Sequence, residues 1–395
     1  MIKNNRIDKI NSVKKILFFL LIVLFFFGIS EFILRQFTPF GDTLNNLEYY
    51  AGLSFSEEDL KTAIKAREDL ASLGEKIIGI PGTLIYRYKK GRTDSFSFNS
   101  FGFRGEEPSE KEPGEYRIGV FGDSRILGIY LAEENTVPFI LQQRLQKEFP
   151  QKKITVFNIG IEGNDLQRAI SFAEADSERL KLDMAVFYSG VNDINYSFQS
   201  GDADWEPFNE DDEIYQNLVE NIAEHGKKTF WERSRLIKAV KEAFSNDFIK
   251  YLASFRKEQV ISPLSPEFEE KAERFAKKFN ERIKNASEKL EKRGIKTVFF
   301  FPPIVQLKEP LSKIEQNMFY KNEMNIAGYN NYFIKCADGV PESEKPVVFT
   351  QKNLFKGYSE TAFFDGIHFT PEASRIVGND VADKVLSVLK KEKVF

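Results

Sequence analysis

The sequence predicts an α/β protein, a three-layer α/β/α sandwich on a five-stranded parallel sheet, preceded by one membrane-spanning helix. Three observations predict it. From Tyr116 onward, short apolar runs alternate with amphipathic stretches, the pattern of parallel strands joined by crossover helices. Several of those runs are apolar without interruption, as strands covered on both faces must be. Far upstream, Ile16 to Ser30 reads ILFFLLIVLFFFGIS, with no charge in it.

The elements follow in order. YRIGVFG (116–122) is the first strand, and VPFILQQRLQKEF (137–149) is a helix begun by Thr136 and Pro138. KITVFNIG (153–160) is the second strand, LQRAISFAEADSERL (166–180) the second helix and LDMAVFYSG (182–190) the third strand. IKTVFFFPP (295–303) is the fourth strand and PVVFT (346–350) the fifth, and the last helix begins at Thr370-Pro371-Glu372. Sheets built this way take the flavodoxin-like order 2-1-3-4-5. The segment 195–294 interrupts the alternation; it is charged, aromatic and helical in pattern, and it ends in an amphipathic helix that stops at Gly294. An insertion of this length after a strand end is either a packed decoration or a lid.

Upstream of the sandwich, 36–114 reads as a stem. Leu60, Ile64, Leu70 and Leu73 recur at helical spacing among charges, and Pro81-Gly82 breaks the pattern. FSFNSFGFRGEE (96–107) reads as short strands, and EEPSEKEPG (106–114) as a solvated linker. Extended by FIL after Glu31, the apolar run approaches the roughly 20 residues of a spanning helix. Lys3, Arg6, Lys9, Lys14 and Lys15, against Asp8 alone, keep the N-terminus in the cytoplasm and place the remainder on the periplasmic side. The expected organisation is a basic N-terminus at 1–15, an anchor at 16–35, the stem, and the α/β domain at 115–395. A signal peptide cleaved near Gly28 and Ser30 is the alternative to an anchor.

Composition removes several function classes. A net charge of −3 over 395 residues argues against a polyanion-binding surface, so no nucleic-acid partner is expected. One cysteine, Cys336, permits neither an internal disulfide nor a cysteine-built zinc site, and no cofactor or metal is expected. Two histidines, His225 and His368, are the whole supply for imidazole chemistry. Oligomeric state is not legible.

Ligands of open parallel sheets bind at the carboxyl ends of the strands. Those ends read Gly122-Asp123-Ser124, then Asn158-Ile159-Gly160-Ile161-Glu162-Gly163-Asn164, then Ser189-Gly190-Val191-Asn192-Asp193, and Asp365-Gly366-Ile367-His368 stands before the last helix. Taken singly, Ser124 is also a helix cap, Gly163 a positive-φ turn residue, Asn192-Asp193 a turn, and Asp365 with His368 a cap and a surface residue. Taken together and in order, FGDSRILG, NIGIEGND, SGVND and DGIHFTPEAS resemble the four blocks of the SGNH subgroup of GDSL-type serine hydrolases, over about Tyr116 to Leu389. Arg125, Ile126 and Leu127 depart from the small polar residues often found in the first block.

The resemblance implies an esterase with Ser124 as nucleophile, His368 as base and Asp365 as its orienting carboxylate. It implies an oxyanion hole made by the Ser124 and Gly163 amides and the Asn192 side chain, with Gly160 as the structural alternative to Gly163. An adjacent base is what a serine hydroxyl needs at neutral pH. The substrate would be an acyl ester of a glycan or a lipid. The alternatives are an O-acyltransferase that passes the acyl group to envelope polysaccharide, and a binding or assembly protein on the same fold. NSFGFRG (99–105) also resembles a segment ahead of the core in membrane-anchored relatives, which would set Arg104 near the site or leave it as a brace. Phe363, Phe364 and Phe369 line an acyl pocket or pack under the last helix. His225 is expected to be solvated and Cys336 to be without a role.

Overall fold

The structure is a computed structural model that describes residues 26–30, 57–74, 77–79, 86–199, 266–316 and 328–395. The chain divides into two units. Of Met1–Tyr49 with Lys228–Val260, only 26–30 are described, and they are helical. Tyr50–Lys227 with Ile261–Phe395 holds everything below. Most of the expected span 16–35 therefore lies outside the described residues, as does His225. Among the described residues, no helix is long and apolar enough to cross a membrane.

The apolar runs become strands because only a sheet covered on both faces can bury them. They are β1 (Tyr116–Gly122), β2 (Ile154–Gly160), β3 (Met184–Tyr188), β4 (Lys296–Phe301), β5 (Ser343–Glu344) and β6 (Val347–Thr350), in the order β2-β1-β3-β4-β6-β5. The five strands read from the sequence pair parallel in the expected 2-1-3-4-5 arrangement. The sheet has six strands rather than five: β5 adds an antiparallel edge to β6. Two residues, one of them charged, carry no alternation to read, and a short charged strand is what keeps an exposed sheet edge from pairing further.

Among the described residues, eight α-helices accompany the sheet: α1 (Glu57–Gly74), α2 (Ser124–Leu127), α3 (Val137–Glu148), α4 (Leu166–Leu180), α5 (Val191–Gln199), α6 (Pro266–Glu291), α7 (Tyr329–Asp338) and α8 (Pro371–Lys391). Successive strand residues face opposite layers. Ile118, Val120, Val186, Val298 and Phe300 form one core with Leu141 and Leu145 of α3 and Val377, Val381 and Val385 of α8. On the other face, Phe121, Phe187 and Phe299 stand opposite one another on β1, β3 and β4 and stack at 5.5 and 4.7 Å. Phe279 of α6 closes on Phe301 edge-first at 6.3 Å. The helix that ends the segment 195–294 is thus a layer of the sandwich, burying Phe275, Phe279, Ile283 and Leu290. Residues 200–265 lie outside the described residues.

The segment before β1 is also packed. Gly91–Arg92 pairs with Ser97–Phe98, and Arg104 bridges to Asn158 on the outer edge of β2. The buried Arg104 guanidinium lies 4.1 Å from the Phe96 ring centroid and donates to the carbonyls of Leu127, Gly128 and Leu131 at 2.8–2.9 Å. Burial pulls its pKa down to about 10. Arg104 therefore braces the chain that follows Ser124.

β2 meets α2 where Gly160 has no room for a side chain: a Cβ there would stand 2.1 Å from Leu127 N. Gly160→Ala is expected to destabilise the protein by at least about 2 kcal/mol in urea unfolding, because backbone must move to admit it. Wild-type stability in that variant would contradict this packing.

Candidate active site

β1 brings Gly122 to the sheet edge and the chain turns at once into α2. Asp123 caps that helix, accepting the Arg125 amide at 2.9 Å, and its carboxylate pairs with the Arg125 guanidinium. Both side chains are buried, and the guanidinium lies 5.5 Å from the Tyr188 ring centroid. Removing either partner would strand a charge in the core, so the pair fixes the turn. Ser124, the predicted nucleophile, is the first residue of α2, and its amide has no acceptor within the helix.

The hairpin 362–370 leads into α8. Phe363 bridges Phe369, the Phe364 amide donates to His368 O at 2.8 Å, and the Thr370 amide donates to Ala362 O at 2.9 Å. Buried Glu315 anchors the hairpin base, accepting the amides of Ala362 and Phe363 at 2.8 and 3.2 Å and Lys308 Nζ at 2.6 Å. At the tip, Asp365 Oδ1 accepts the amides of Ile367 and His368 at 3.1 and 2.9 Å. Asp365 Oδ2 lies 2.7 Å from His368 Nδ1, and His368 Nε2 lies 2.7 Å from Ser124 Oγ. With Nδ1–H donating to the carboxylate, Nε2 is left to accept from the serine hydroxyl. Burial pushes the Asp365 carboxyl up, but His368 and the two amides outweigh it and hold its pKa below the usual carboxylate value. Such a hydroxyl can surrender its proton as it attacks an electrophilic carbon.

The loop between β2 and α4 is tied to the same turn, with the Ile161 amide donating to Gly122 O at 3.1 Å and Asn158 Nδ2 to Ile126 O at 2.9 Å. Gly163 holds φ +73°, which glycine alone adopts freely. Its carbonyl accepts Tyr196 Oη at 2.8 Å and Arg168 Nη1 at 3.2 Å. Asn192, in the first turn of α5, donates Nδ2 to Asn164 O at 2.8 Å. The structure thus links Ser124, His368 and Asp365 directly, and sets Asn192 against the Gly163–Asn164 loop.

Tyr130 escaped the sequence reading. Its hydroxyl donates to Asp365 Oδ2 at 3.3 Å, and its ring packs edge-on against His368 at 5.2 Å. No local pattern marks a tyrosine in the turn after α2. Phe363 and Phe369 are buried against each other and Phe355 in the core they share with the last helix, whereas Phe364 is buried against Tyr130, the ring that packs on His368. Burial pushes the Cys336 thiol up. Among the described residues, no three histidine, cysteine or acidic side chains converge on one point.

Behind the loop, Asp193 Oδ1 accepts the Leu166 amide at 3.0 Å and ties α4 to α5. Burial first, and the nearby Asp165 second, push its pKa up to about 7 from the ordinary 3.8. Asp193 therefore keeps its proton in the folded state at pH values where the unfolded chain has lost it. The contribution is full below the unfolded value and is lost as pH rises through about 7. Asp193→Asn should accordingly gain on the wild type in urea unfolding between about pH 4 and pH 7. A gap that stays constant, or moves the other way, would contradict this.

Residues 94–381 match the family model GDSL-like Lipase/Acylhydrolase. Among solved structures, an acetyl xylan esterase, AlAXEase, is similar at 17% identity with a TM-score of 0.35, covering 69% of this chain and 99% of its own. The psychrotrophic esterase EstA from Pseudoalteromonas sp. is similar at 12% identity with a TM-score of 0.35, covering 69% and 98%. A lipase/acylhydrolase from Enterococcus faecalis is similar at 13% identity with a TM-score of 0.33, covering 68% and 95%. No curated protein matches. With its family model spanning most of the sequence, from residue 94 into the last helix at 381, the chain belongs to the GDSL-like lipase/acylhydrolase family of serine hydrolases that act on ester bonds.

Proposed function

We propose that the protein hydrolyses acyl esters through an acyl-Ser124 intermediate. The carrying observation is the hydrogen-bonded chain from Ser124 Oγ through His368 to Asp365, with 2.7 Å at each step. Ser124 Oγ attacks the acyl carbonyl carbon while His368 Nε2 takes its proton, and Asp365 stabilises the imidazolium that forms. The proton passes to the leaving alkoxide. Water then repeats the sequence, releasing the carboxylic acid and restoring the serine.

The tetrahedral oxyanion needs donors already in place. The amides of Ser124 and Gly163 and the Asn192 amide group take that role. Asn192 supports this reading because its Nδ2 carries two hydrogens, of which the bond to Asn164 O uses one. The second remains for the oxyanion.

The charge asymmetry around the apolar run 16–35 supports a single-pass anchor with the catalytic domain on the periplasmic side. An enzyme so placed meets ester-bearing envelope glycans and lipids, and these are the substrate classes we assign.

With p-nitrophenyl esters from acetyl to dodecanoyl, Ser124→Ala should lower kcat by about 10⁴-fold or more. Asn192→Ala should lower it by about 10²–10³-fold. The chain-length profile separates acetyl-selective from lipase-like activity. Serine-independent turnover would overturn the proposal. Acyl transfer to an added glycan in excess of hydrolysis would make the enzyme a transferase instead.

A further inference from the structure

The peptide between Glu162 and Gly163 is the centre of a turn. The Asn164 amide donates to Ile161 O at 3.2 Å, Gly163 has φ +73°, and Glu162 is not among the residues with positive φ. That combination is a type II turn. Types I and II differ by a flip of the central peptide, and the flip reverses where its N–H points. The N–H in question is the Gly163 amide.

Side chains grip this turn from two sides. Tyr196 and Arg168 hold the Gly163 carbonyl. On the other side, Glu162 Oε1 accepts Arg67 Nη1 at 3.0 Å. Arg67 lies mid-way along α1, upstream of the residues the family model matches. The pair is not a surface ornament: its side chains are only 14% and 19% exposed, against 54% and 80% for Lys65–Asp94 nearby. Exposed pairs contribute little, whereas a mostly buried pair cannot be broken without stranding a charge. α1 has a second tie beside it, where the Ser95 amide donates to Asp69 Oδ2 at 2.9 Å.

We propose that α1 belongs to the catalytic unit, and that Arg67 is a positioning residue which, through Glu162, holds the Glu162–Gly163 peptide so that the Gly163 N–H faces the developing oxyanion. The proposal rests on the esterase reading above. It makes the stem a working part of the site.

The test is a mutant cycle in the full chain, on a p-nitrophenyl ester that the wild type turns over. Arg67→Ala should lower kcat about 10- to 100-fold with KM nearly unchanged, since a misaimed donor weakens transition-state contacts and not ground-state binding. Glu162→Ala should do the same, and the double variant should be no worse than the poorer single. Arg67→Lys, which keeps the charge, should recover part of the loss. Wild-type kcat in Arg67→Ala, or losses that multiply in the double variant, would overturn the proposal. Should Arg67→Ala fail to fold, Glu162→Ala decides in the same way. Ser124→Ala in the same assay separates the two claims. Turnover that survives it sinks the esterase reading; if Ser124→Ala is dead while Arg67→Ala is fully active, only the positioning claim falls.

Discussion

One contact, Ser124 Oγ to His368 Nε2 at 2.7 Å, joins residues 244 positions apart, and much of the fold serves to make it. A hydrogen bond tolerates only a few tenths of an ångström. Both ends must therefore be set by rigid elements. The parallel sheet does the coarse work by ending its strands on one edge. The fine work falls to buried polar groups. The Asp123–Arg125 pair fixes the turn that carries Ser124, and the Lys308–Glu315 pair fixes the base of the hairpin that carries Asp365 and His368. Both pairs are completely or almost completely shielded from water, where ionic contacts are least screened and most costly to break.

Around this centre the two faces of the sheet play different parts. The phenylalanine row on β1, β3 and β4 packs beneath α4 and α6 and supplies bulk. The opposite face carries α3 and α8, and α8 begins just after His368. Helix packing on that face therefore bears on the histidine position. The segment before β1 contributes from outside the sandwich. Arg104 holds the carbonyls that follow α2, Arg87 pairs with the buried Asp176 of α4, and Arg67 reaches the glycine turn. Three arginines from one upstream stretch reach three elements of the site or its support.

Legibility in the sequence followed physical cause. Doubly buried strands must be apolar throughout, so YRIGVFG and the strand around MAVFY announced themselves. Ser124, Asp365 and His368, which the structure hydrogen-bonds in a row, stood out in the sequence only as parts of ordered blocks at strand ends and before the last helix, since each alone also reads as a cap or a surface residue. The edge strand Ser343–Glu344 was not, because two residues carry no periodicity. Tyr130, Tyr196 and Arg67 were not, because each acts through a partner distant in sequence: Asp365, Gly163 and Glu162. The segment 195–294 read as one insertion because its charged helical pattern is continuous, whereas α6 within it buries its apolar stripe against the sandwich.

In the proposed reaction the acyl group is attached to Ser124. The most direct measurement treats the full chain with an alkylphosphonate ester that captures activated serines, then reads the intact mass and maps the adduct by peptide sequencing. A single adduct on Ser124, lost in His368→Ala, is expected. An unmodified chain, or an adduct on a different serine, would contradict it.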